Sequence, residues 1–309
     1  MRKYLDCRNT GGIIEQPEWQ PHYWVNVECP DTDDMELLLG DLKIPRDFIV
    51  SVDDPDERPR MEHDRGWTMT VIRIPVREPG DDICPFTTVP MGIMVNNEIV
   101  VTVCNHRTEL VPDLIEHTRE RMISINTDSD LMLRLLYSST YWFLKYLKEI
   151  NDHVTTASRG MRTEINNDAL FTLMDIQKTL VYFNTSIRGN ELLLDRIRKV
   201  YNGQYNVELL DNIEVEIKQA ANTVDVYDDI LKAMMDSYAS VISNNVNNVM
   251  KKMTGVSIVL MLPTLIASFY GMNVKIGVSS DAWAFWVIVV SSFALSIVLY
   301  FILKRIRWL

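Results

Sequence analysis

Ala267-Ser-Phe-Tyr-Gly-Met-Asn-Val274 stands between the two segments of this chain that are long and uncharged enough to cross a bilayer. Residues 253–274 form a first span of 22 residues without a charge, and residues 282–303 form a second of 22. As helices each would extend about 33 Å at 1.5 Å per residue, the thickness of a hydrocarbon core. Buried helices of soluble proteins are seldom so long and uncharged, and two in tandem are rarer. Both read as transmembrane.

Orientation follows from the flanks. Lys251-Lys252 precede the first span and Lys304-Arg305-Ile-Arg307 follow the second, whereas the loop between carries only Lys275 and Asp281. An excess of Lys and Arg marks the cytoplasmic side. Both termini are therefore expected in the cytoplasm of a two-pass protein of the cell (inner) membrane, with the loop 274–281 outside.

The rest of the chain reads as a large body attached to these spans. Of 309 residues, charged side chains leave a net of -11, which disfavours nucleic acid and favours cations at the surface. Four dispersed cysteines lack the spacing of a zinc knuckle and fit a reducing compartment. Met1-Arg-Lys-Tyr-Leu-Asp6 has no apolar h-region, so no cleaved signal peptide is expected. A glycine-rich phosphate loop and a nucleophile motif are both missing from the sequence, and the five histidines are scattered. An enzyme is the weakest reading.

Residues 1–125 alternate short apolar runs with turn residues, the pattern of a strand-rich α/β domain. Tyr23-Trp-Val-Asn-Val27 and Trp67-Thr-Met-Thr-Val-Ile-Arg-Ile74 are strand candidates, and Asn96-Asn97 joins two apolar runs as a hairpin. Asp31-Thr-Asp-Asp34 suits the cap of a short helix through Leu39, with a metal site as the less favoured reading. Residues 126–205 turn helical. Asp128-Ser-Asp130 suits the cap of a helix with Leu133, Leu136, Phe143, Leu147, Ile150 and Val154 on one face, and Leu173, Ile176, Leu180, Phe183 and Ile187 stripe a second. These stripes read as core.

From 206 to 252 a stalk helix is expected to continue into the first span, because neither glycine nor proline occurs between Gly203 and Gly255. It would run for roughly 65 residues, about 100 Å, and needs packing along its length, for which copies of itself are the natural partner. At intervals of three and four its end carries Asp236, Ser240, Ser243, Asn247, Met250, Thr254, Ser257, Met261, Thr264 and Ser268 on one face. Small polar residues at this spacing serve close helix packing. They serve equally to line a narrow pore, and the amides at Asn247 and Asn248 suit hydrated ions. Pro263 reads as a kink.

Tyr270-Gly-Met-Asn273, after Pro263-Thr-Leu-Ile-Ala-Ser268, resembles the signature of the CorA family of divalent-cation transporters. The frame agrees: an acidic cytoplasmic domain, two closely spaced C-terminal spans and a basic tail at 304–309. The resemblance implies an α-helical homopentameric channel in membrane lipid, with five first spans (253–273) lining the pore. It makes Gly271, Met272 and Asn273 the selectivity filter, with Asn273 as the ring that meets hydrated Mg2+. Asp236, Asn247, Met250, Met253, Met261 and Thr264 would line levels below it, alongside Thr254 and Ser257 of the polar face. Mg2+ is implied as both cargo and regulator, with Co2+ and Ni2+ as further cargo; Asp211, Glu214 and Glu216 are candidate regulatory ligands. Many family members carry an acidic Met-Pro-Glu-Leu-type loop after the motif. Here Lys275-Ile-Gly-Val-Ser-Ser-Asp281 replaces it, and a zinc-transporting branch shares the tripeptide. Zn2+ transport is the alternative, and a membrane-tethered scaffold or signalling protein is the alternative of another class.

Overall fold

A computed structural model describes residues 1–8, 11–78, 84–96, 99–163, 167–272, 282–306 and 308. The chain divides into two compact units, Met1–Met235 and Asp236–Leu309. In the first, the described strands are β1 (Arg2–Asp6), β2 (Ile14–Gln16), β3 (Trp24–Glu28), β4 (Arg60–Asp64), β5 (Trp67–Arg77), β6 (Phe86–Val95) and β7 (Val100–Cys104). They form one sheet in the order β2-β1-β3-β7-β6-β5-β4, antiparallel except where β3 meets β7. Helices α1 (Thr32–Glu36) and α2 (Arg46–Asp53) pack on one face. On the other lie α3 (Leu110–Glu120), α4 (Asp128–Thr163), α5 (Asn167–Val200) and the beginning of α6 (Val207–Tyr270). The second unit holds the rest of α6 and α7 (Ala282–Arg305).

A sheet covered on both faces needs apolar side chains on both, which is why Val71, Ile72, Ile74 and Val76 are all buried. The expected helical stripes are core as well: Leu133, Leu136, Phe143, Leu147 and Ile150 on α4 and Leu173, Ile176, Leu180, Phe183 and Ile187 on α5 are buried. Two local expectations shift. Asp31 caps α1 as anticipated, accepting from the Asp34 N–H at 2.9 Å, but the helix gives way to a π turn at Leu37–Asp41. At α4 the capping side chain is Thr127, one residue earlier than anticipated, whose hydroxyl accepts from the Asp130 N–H at 3.2 Å. Asp128 and Asp130 sit instead in the first turn, where the helix dipole favours acids.

β6 and β7 pair as the expected hairpin, Val95 opposite Val100; Asn97 lies outside the described residues. The sequence reading missed the β4–β5 hairpin. Arg65-Gly66, at φ 48° and 82°, is the two-residue turn that matches the twist of its strands. It also cut β5 and β6 short, because Pro75 and Pro90 read as breakers.

Arg73, opposite Pro90, shows how that stretch is held. β4 has already ended, its first residue Arg60 pairing with Val71, and a side chain from α5 takes its place along β5. Asn190 accepts from the Arg73 N–H at 2.9 Å and donates to the Arg73 carbonyl at 2.8 Å. The Arg73 guanidinium donates to the carbonyls of Pro55 (2.5 Å) and Thr88 (2.7 Å) and to the Thr88 hydroxyl (2.7 Å). Burial pulls its pKa below the ordinary value, against the pull of Asp56 and Asp54. Arg73→Met would strand those carbonyls. It is expected to cost about 3 kcal/mol and to lower the melting temperature of the full-length protein by roughly 6–12 °C, read by thermal denaturation in detergent.

Candidate functional site

α6 starts where the Asn206 side chain accepts from the Leu209 N–H at 3.0 Å, and it continues for 64 residues. Its partner over the first part is not a copy of itself, as the sequence reading supposed. Leu210, Ile213, Ile217, Ala220, Val224 and Leu231 bury themselves in the core of the chain's own first unit. Polar contacts fix it to α5: Arg188 Nη2 lies 2.7 Å from Asp225 Oδ2, and Asn184 donates to Asp225 Oδ1 at 2.9 Å.

The three candidate regulatory carboxylates lie on this part of α6 but are not gathered into one site. Glu214 is held by Arg198 and Lys218, each at 2.6 Å, and those two cations keep its carboxyl below the usual range, Lys218 foremost. Asp211 shares Arg198 at 3.6 Å. Glu216, two residues on from Glu214, projects from a different side of the helix. Among the described residues no three His, Cys, Asp or Glu side chains assemble a metal site within one chain.

In the second unit α6 has two opposed faces. Gly255 is buried and Val259, Leu262, Pro263 and Ile266 are half-buried, forming one side. Ser292, Ser296 and Leu303 of α7 are buried in turn. The serine hydroxyls are satisfied locally, Ser292 donating to the Val289 carbonyl at 2.8 Å and Ser296 to that of Ser292 at 3.0 Å. Small residues here let two helix backbones approach. This close-packing face was missed in the sequence, although Ser292 and Ser296, four apart in an apolar run, were a usable signal.

Asp236, Asn247, Met250, Met253, Thr254, Ser257, Met261 and Thr264 are all exposed, Met253 by 67% and Met261 by 64%. At about 100° per residue they centre roughly opposite the Gly255 side. Three hydroxyls of this face donate back into the helix: Ser240 to the Asp236 carbonyl (3.0 Å), Ser257 to that of Met253 (2.9 Å) and Thr264 to that of Leu260 (3.3 Å). With their protons committed, these oxygens offer lone pairs outward. A surface of acceptors suits a hydrated cation, whose waters point hydrogens away from the metal.

α6 ends at Tyr270. The Gly271 N–H bonds to the Ala267 carbonyl at 2.9 Å, and Gly271 and Met272 are exposed in the turn that follows. The last carbonyls and the negative end of the helix dipole face this turn, a setting that favours a cation. Asn273 and the loop to Asp281 lie outside the described residues. Aromatic residues mark both ends of the hairpin: Phe269, Tyr270, Trp283 and Trp286 at one, Tyr300, Phe301 and Trp308 at the other, all exposed. Such belts sit at membrane–water interfaces.

Fold and surface together define a membrane protein with a large α/β domain, a long helix and two C-terminal apolar helices. Residues 19–305 match the family described as "CorA-like Mg2+ transporter protein", and the chain belongs to that family of divalent-cation transporters. Among its relatives is the cobalt/magnesium transport protein CorA of Methanocaldococcus jannaschii, 23% identical over 97% of each chain. The complete structure of the magnesium transporter CorA from the same organism superposes with a TM-score of 0.83 at 20% identity, covering 100% of this chain and 99% of that one. The ZntB cytoplasmic domain from Vibrio parahaemolyticus superposes at 0.61 with 13% identity, covering 78% of this chain and 98% of that domain. At those identities the likeness is one of fold.

Proposed function

We propose that five copies of this chain form a channel that conducts Mg2+ passively, the α6 helices lining the pore and the α7 helices outside them. The observation that carries this reading is the row of exposed polar and methionine side chains on α6, turned away from the face that packs on α7. A helix bathed only in lipid has no use for such a row. In a ring of five it becomes the lining.

Mg2+ gives up its waters reluctantly, so contacts to its hydration shell cost less than direct ligation. Asn273 amides at the outer end and the hydroxyl oxygens of Ser257 and Thr264 below accept hydrogen bonds from that shell. A carboxylate cage would hold the ion too tightly for release. Met250, Met253 and Met261 form apolar rings that gate by dewetting, and Asp236 draws cations at the inner end. Both termini lie in the cytoplasm, by the Lys and Arg flanks. Cytoplasmic Mg2+ closes the channel from the first unit. To use Asp211 or Glu214 it must displace Arg198 and Lys218, so closure is a competition between the metal and internal cations. Loop 274–281, with its lysine and single acid, supports a second reading in which Zn2+ is the cargo.

In cells lacking their own magnesium transporters, the chain is expected to restore growth at low Mg2+. Relief of zinc stress without magnesium rescue would favour the second reading. A purified assembly no larger than a dimer would rule out the pore.

A further inference from the structure

Lys251 and Lys252 on α6 and Lys304 and Arg305 in the last turn of α7 are exposed. None of the four has an ion-pair or hydrogen-bond partner among the described residues. They belong to one end of the second unit. A groove of about 240 Å³ between the two helices sets the level: Val259, Leu260 and Pro263 of α6 line it together with Phe293, Ile297 and Tyr300 of α7. From Val259 back to Lys252 is seven residues and from Tyr300 on to Lys304 is four, so the cations sit about 6 to 11 Å beyond the same rim of the groove.

We propose that this end of the hairpin binds one anionic phospholipid, its phosphate among the four cations and an acyl chain in the groove. The inference rests on α6 and α7 being membrane spans. Charge selects the occupant. Four unpaired cations below an apolar slot match a phosphate carrying an acyl tail, whereas a second copy of the chain would bring the same four charges against them. Tyr300 sits at the rim, where an amphipathic ring meets the interface.

The test is native mass spectrometry of the delipidated full-length protein, titrated with phosphatidylglycerol or phosphatidylcholine of matched chains. The wild type is expected to retain phosphatidylglycerol in preference. The double variant K304Q/R305Q should lose roughly thirtyfold in retention, two cations near an anionic headgroup counting about fivefold each. Ile297→Trp, which fills the groove and leaves every charge in place, should also weaken retention at least tenfold. The assembly mass in the same spectra verifies that each variant is intact. Equal retention of both lipids, unchanged by K304Q/R305Q, would mean merely annular lipid and overturn the proposal. So would full retention by Ile297→Trp, or loss of assembly by Ile297→Trp with lipid still bound, which would make the groove a contact between copies. Retention is read on the protein itself, so a failure of ion transport would count against the pore and not against this site.

Discussion

Asn273→Ala is expected to abolish magnesium rescue, with uptake falling roughly a hundredfold or more, while the protein still assembles. The reasoning is energetic. Hydrogen bonds to a charged group contribute about 1.5–3 kcal/mol each. An ion that loses even two amide contacts to its hydration shell at the outer entrance therefore faces a barrier higher by about 3–6 kcal/mol, and each 1.4 kcal/mol is a factor of ten in rate. The end of α6 at Tyr270 still presents its carbonyls to the entrance, so cations gather there in the variant but are not passed on. Isotope or fluorescent-dye uptake at matched protein levels checks the value. Equal uptake by wild type and Asn273→Ala would remove Asn273 from the filter.

Thr264→Arg should close the path altogether. Thr264 lies on the exposed face of α6, two turns inside Tyr270, with its hydroxyl bonded back to the Leu260 carbonyl. In a ring it would set five guanidinium groups around the pathway. At a separation of roughly 7 Å and an effective dielectric of about 20, a divalent cation is repelled by about 5 kcal/mol per arginine. Uptake should drop below detection, whereas Thr264→Ser, which keeps the acceptor oxygen, should stay within a few-fold of wild type. Undiminished uptake by an assembled Thr264→Arg protein would take this face out of the pore.

Much of this architecture was legible because it rests on local rules. The unbroken run from Val207 to Tyr270 follows from the spacing of glycine and proline, and the core stripes of α4 and α5 follow from the helical period. What the sequence concealed was tertiary. Pro75 and Pro90 look like strand breakers, yet Asn190, more than a hundred positions away, supplies hydrogen bonds along β5 beside them. The stalk carboxylates look like free metal ligands until Arg198 of α5 is seen beside Glu214. The polar stripe of α6 was ambiguous between packing and pore for a similar reason. Only the position of Gly255, Ser292 and Ser296 tells which side of α6 meets α7.

Substituted-cysteine accessibility along α6 tests the central claim most directly. Single cysteines at Ser257, Met261 and Thr264, and at Val256 and Leu260 as controls, would be treated with a water-soluble thiosulfonate during magnesium uptake. Wild type, with its exposed Cys29, serves as the treated reference. A cysteine facing a water-filled path ionises and reacts, while one in lipid does not. Reagent should block uptake at 257, 261 and 264 and leave 256 and 260 unaffected. Block at Val256 and Leu260, with Ser257 and Thr264 insensitive, would contradict the assignment of the polar face of α6 to the ion pathway.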